Sequence, residues 1–72
     1  MKIGQVVSCR PEADHKLANM LGIVTNKHGR ELYSVLFASG KEVILFDSEL
    51  DDEVDGRTAA MFVATMAMGI EA

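Results

Sequence analysis

The chain has 72 residues with 49% apolar content, one cysteine, no tryptophan and a net charge of −4. That length sets one domain at most, and one whose core is too small for much stability without outside help. A single cysteine excludes an intramolecular disulfide, no Cys/His group has metal-ligand spacing, and the acidic balance argues against nucleic acid as the main partner.

In chain order, Ile3–Cys9 reads as a first strand, with Ile3, Val7 and Cys9 on one face and Val6 on the other. The flanking Lys2 and Arg10 surround an apolar run too brief for an export signal. Arg10–Asn19 is polar and carries Pro11 and Glu12 near its start, which suits either a loop or a helical turn or two. Met20–Asn26 reads as a second strand, in which Gly22 suggests a bulge or sharp bend.

Asn26-Lys27-His28-Gly29 is a hairpin turn, since Asn and Gly tolerate the positive φ of tight turns. Glu31–Ala38 is the clearest strand: Leu32, Ser34, Leu36 and Ala38 alternate with Tyr33, Val35 and Phe37. Ser39-Gly40-Lys41 turns the chain into Glu42–Phe46, where Val43 and Leu45 oppose Ile44 and Phe46. Short strands at roughly ten-residue spacing with Gly-bearing turns predict a small antiparallel barrel or curved sheet. Because the third and fourth strands are apolar on both faces, the sheet is expected to be covered on both sides.

Charge divides the chain. Residues 1–46 carry six basic and four acidic side chains, whereas residues 47–72 carry Arg57 against seven acids. Asp47–Asp55 alone holds six carboxylates and reads as a solvated linker. Asp51-Asp52-Glu53-Val54-Asp55-Gly56 has the alternating oxygens and sixth-position glycine of a calcium loop, but its twelfth position is Phe62, where a bidentate Glu is required. No metal or other cofactor is assigned.

From Asp55 onward the chain predicts a helix rich in Ala and Met, capped by Asp55 or Thr58. Stepping 100° per residue places Phe62, Val63, Met66 and Ile70 on one face, expected to pack on the sheet. Ala60, Ala64 and Ala67 form a ridge of small residues, with Met61 and Met68 beyond it. A second helix can approach small residues closely, and Met adapts to irregular surfaces. This set is the expected partner interface. The apolar segment is too short to span a bilayer, so no membrane role is expected.

Other candidate chemistry is sparse. His15 and His28 lie in a loop and a turn without a third ligand nearby, and Cys9 with either histidine has no nucleophile–base spacing to support it. Lys27, His28 and Arg30 beside Tyr33 make the alternative site, a basic hairpin with an aromatic that could grip a phosphate backbone and stack a base. There is no Gly-rich phosphate loop and no constellation that indicates an enzyme.

Several segments together resemble small SH3-like barrels, including KOW-type domains and the short SH3-like proteins encoded by bacteriophages. They are Lys2-Ile3-Gly4-Gln5-Val6-Val7, Leu21-Gly22-Ile23-Val24, Tyr33-Ser34-Val35-Leu36-Phe37, Ser39-Gly40-Lys41-Glu42-Val43, Phe46 and Glu49-Leu50. The likeness covers residues 2–54 and departs at the fifth strand, where Asp51–Val54 is acidic and short. With one tyrosine and no tryptophan, the aromatic peptide groove of signalling SH3 domains is missing. The expectation is therefore a mainly β chain: an SH3-like antiparallel barrel over residues 1–54 and an apolar C-terminal α-helical assembly segment over residues 55–72, within one domain. The resemblance implies a structural or adaptor subunit, either a homo-oligomer or docked on a larger complex, in a virion or in the host cytoplasm. A module associated with nucleic acid or a polymerase is the alternative.

Overall fold

The computed structural model describes residues 1–12 and 16–71, with side chains described up to Ala67. The chain is mainly β: five antiparallel strands in one open sheet, followed by a C-terminal helix. The strands are β1 (Val6–Cys9), β2 (Leu21–Lys27), β3 (Leu32–Phe37), β4 (Glu42–Phe46) and β5 (Leu50–Asp51). A single 3₁₀ turn, Asp47–Glu49, joins β4 to β5, and the helix α1 spans Gly56–Glu71. The order across the sheet is β4-β3-β2-β1-β5: a four-strand meander whose last short strand returns to pair with the first.

Local chemistry sets the boundaries. The first strand begins later than its apolar run suggests, because Gly4 has a φ of 91° and Gln5 N–H bonds back to Lys2 C=O at 3.1 Å. Ile3 is thereby left on a turn, 65% exposed. Residues 10–12 and 16–20 contain turns and bends, tied to β1 by Cys9 N–H to Met20 C=O (3.0 Å) and Asn19 N–H to Cys9 C=O (2.9 Å). The β2–β3 hairpin closes with His28 N–H donating to Leu32 C=O (2.7 Å), and Gly29, at φ 103°, supplies the left-handed residue. Strand β2 thus runs one residue further than the expected end at Asn26, to Lys27.

Gly22 is not where the ladder breaks. It pairs regularly with Val7 and Phe37, and the irregularity falls between Val24 and Asn26. The intervening Thr25 has its hydroxyl 3.3 Å from the Ser34 carbonyl oxygen and 2.5 Å from Glu42 Oε2. A polar residue with partners on β3 and on β4 beyond it is well suited to the unpaired position of a bulge.

The cross-strand register gathers one apolar set on one face of the sheet. Val7 and Cys9 of β1, Val24 of β2, Tyr33, Val35 and Phe37 of β3, Leu45 of β4 and Leu50 of β5 form a single buried cluster. Met1, Leu17, Met20 and Val43 pack against it, half-buried. Val6 and Met66 are the buried hydrophobic residues outside that cluster among those described. On the opposite face, cover is incomplete. The expectation that the fourth strand is covered on both sides is overturned: Ile44 is 56% exposed and Phe46 53%, because β4 is an edge strand.

The acidic run also needs correction. Its first part is built into the sheet: Arg10 N–H donates to Glu49 C=O (2.9 Å), Arg10 Nε to Leu50 C=O (3.2 Å), and Leu50 is 1% exposed. Asp52, Glu53 and Asp55 are exposed. Asp55 then starts the helix as its N-cap, with Oδ2 accepting from Thr58 N–H at 3.2 Å while its C=O accepts from Ala59 N–H at 2.8 Å. Replacing Asp55 with alanine should therefore cost about 0.5–2 kcal/mol. Hydrogen exchange should report it as lost protection at the first turn of α1, before any change in β3.

Candidate functional site

Two groups of residues were candidates, and the fold treats them differently. In α1, periodicity of 3.6 residues per turn separates side chains by face. Met66 is 8% exposed and Phe62 is half-buried, so this stripe of the helix is the one turned inward. Val63, expected beside them, is 44% exposed and lies at the margin rather than within the packed stripe. The side chain of Ile70 lies outside the described residues.

The proposed contact set faces solvent. Ala60, Ala64 and Ala67 are exposed, and Met61 is 65% exposed. Met68, the remaining member, has its side chain outside the described residues. Thr65, next to this strip, returns its hydroxyl to Met61 C=O at 2.9 Å, so it presents little polar capacity outward. What the helix offers is therefore a ridge of methyl groups beside a flexible thioether, with Val63 on its flank.

The basic hairpin is brought together only in part. Lys27, His28 and Arg30 are all exposed at the β2–β3 turn. His28 Nε2 lies 2.6 Å from Ser34 Oγ, which anchors the ring to β3. Tyr33 does not join them: it is 3% exposed, part of the core cluster, with its hydroxyl 3.5 Å from Arg30 C=O. Its register explains why, since Tyr33 shares a face with Leu45 and Val35. The ring packs the core and cannot stack on a base, so the hairpin is left as three exposed side chains without an aromatic platform.

Elsewhere, Cys9 is 1% exposed in the core, and His15 lies outside the described residues. Three carboxylates of the acidic run serve backbone amides: Glu49 Oε1 accepts from Phe46 N–H at 3.0 Å, Asp51 Oδ1 from Glu53 N–H at 2.9 Å, and Asp55 caps the helix. Among the described residues no group of three or more His, Cys, Asp or Glu side chains could hold a metal ion, and no helix is long and apolar enough to cross a membrane. Compared with protein-family models, with curated proteins and with solved structures, the chain has no match in any of the three.

Proposed function

We propose that this is a non-enzymatic assembly protein: a small SH3-like barrel that associates with itself, or docks on a larger complex, through the outer face of its C-terminal helix. The observation that carries the reading is the exposure of Met61, at 65%, beside the exposed Ala60, Ala64 and Ala67. Burying one large apolar side chain contributes about 1.5–3 kcal/mol, so a partner covering this face would add much to a small domain. The barrel part of the reading is supported by the course of the chain. A meander of four strands, a 3₁₀ turn and a short strand returning to β1 follow the order of the SH3-like proteins that residues 2–54 resemble. On that resemblance, the setting is a virion or the host cytoplasm.

The test is the mass of the full chain in solution. Wild type should exceed its 7.8 kDa monomer mass by light scattering. Met61→Glu with Ala64→Glu should lower that mass while far-UV dichroism stays the same, because both positions are exposed and such changes cost within about 0.5 kcal/mol. Equal masses for the two proteins would sink the self-association reading.

A further inference from the structure

A second surface, separate from α1, is the free edge of β4. The strand pairs with β3 alone and forms one border of the open sheet. Its hydrogen-bonding phase is fixed at both ends: Asp47 N–H donates to Glu31 C=O (2.7 Å) and Phe37 N–H to Lys41 C=O (3.0 Å). Between these, antiparallel bonds alternate, so Val43 and Leu45 bond to β3. The amides and carbonyls of Glu42, Ile44 and Phe46 point away from the sheet. Of these, Phe46 N–H is taken by Glu49 Oε1 at 3.0 Å.

Such an edge is normally blunted by a proline, a bulge or charges along the strand. Glu42-Val43-Ile44-Leu45-Phe46 contains no proline, its β3 register is regular, and its one charge stands at the first position. On the side away from the core, Ile44 and Phe46 stand 56% and 53% exposed. We propose that β4 pairs antiparallel with β4 of a second copy of this chain, about a two-fold axis through Ile44, joining the two sheets into one.

The sequence around β4 is complementary to itself in that register. Centring the pair on Ile44 sets Ile44 opposite the partner's Ile44, Glu42 opposite the partner's Phe46, and Lys41 opposite the partner's Asp47. Every residue of β4 then has a partner, and both ends close on opposite charges. Shifting the centre to Val43 faces Lys41 with the partner's Leu45, and shifting it to Leu45 faces Asp47 with the partner's Val43, so both alternatives lose the charge pairs. The outward groups match as well. Ile44 exchanges both bonds with its symmetry mate, and Glu42 N–H meets the partner's Phe46 C=O. Phe46 N–H can stay on Glu49, so no bond within either chain has to break. Ile44 and Phe46 gain apolar cover from the partner's Ile44, directly and diagonally.

The charge pairs make the test specific to this register. Sedimentation is measured on the full chain carrying Met61→Glu and Ala64→Glu, at concentrations reaching about 1 mM, so that the helix face does not contribute and a dimer with a Kd in that range is seen. A dimer is expected there. Adding Lys41→Asp, or separately Asp47→Lys, turns both end pairs repulsive and should weaken the dimer about tenfold. An equimolar mixture of the two charge variants should recover it, because both pairs in the mixed dimer are attractive. A monomer throughout the range overturns the proposal, as does a dimer indifferent to the charge changes or a mixture that does not recover. None of these outcomes bears on the helix face, which the Met61 and Ala64 substitutions test in their own right.

Discussion

Leu50→Ala should leave this chain largely unfolded at 25 °C. Leu50 is 1% exposed, belongs to the core cluster, and pairs with Cys9 where β5 closes back on β1. Removing a buried leucine side chain costs about 2–5 kcal/mol, through lost transfer energy and the cavity left behind. A domain of this size has only about 3–5 kcal/mol in total. The damage cannot be repaired locally, because β5 consists of two residues and the other, Asp51, is half-buried. Urea unfolding followed by dichroism gives the comparison, with Asp52→Ala as the control two positions away. Asp52 is exposed, so its substitution should move stability within about 0.5 kcal/mol. A Leu50→Ala transition displaced by less than about 1 kcal/mol would show that the return of β5 to β1 does not hold the sheet together.

Leu50 also shows where sequence patterning fails. Strands β3 and β4 are legible because each is a short, near-continuous apolar run and a Gly-bearing turn separates them. The fifth strand has no periodicity to read: a single apolar residue stands among acids, and tertiary closure rather than local pattern makes it a strand. The acidic run looks like one solvated linker for the same reason. Its carbonyls at Glu49 and Leu50 are recruited by Arg10, forty residues away in the case of Leu50, and no local signal marks that contact. Gly4 delays the start of β1 to Val6 through its backbone conformation, which the apolar run around it conceals.

The candidate sites were legible to different depths. Capping chemistry offers Asp55 or Thr58 as the helix start, and the structure places the cap at Asp55. Spacing groups Met66 and Phe62, which are buried and half-buried, with Val63, which is 44% exposed. Tyr33 is not legible as a core residue because alternation says which residues share a face but not which face is the core. Its neighbours Val35 and Phe37 share its face and are fully buried, and that settles the ring's position. Exposure of Ile44 and Phe46 was hidden in the same way: apolar residues on both sides of a strand suggest double cover, yet the order of strands makes this one an edge.

Gly22→Ala should destabilise the chain by about 1–3 kcal/mol, the range for overfilling a packed core. The opposite sign is the usual expectation for a strand glycine, since alanine restricts the unfolded chain and stabilises by about 0.4–1 kcal/mol where the backbone accepts it. The backbone does accept it here, because Gly22 is not among the residues of positive φ. Space decides against it. A Cβ at this position would lie 2.4 Å from Val35 Cγ1 and 3.2 Å from both Leu36 O and Phe37 Cδ1. Val35 is 0% exposed, and a β-branched side chain has little rotamer freedom with which to withdraw. Gly22 thus leaves room for the Val35 side chain on the neighbouring strand, which is why it stands in an otherwise apolar strand at a regular point of the ladder. A double-mutant cycle separates crowding from any other cause. Val35→Ala alone opens a cavity, but in the Gly22→Ala background it also removes the clashing methyl, so the two costs should sum to more than the measured double-mutant cost by at least about 0.5 kcal/mol. Strict additivity would mean that alanine at position 22 does harm by some route other than meeting Val35.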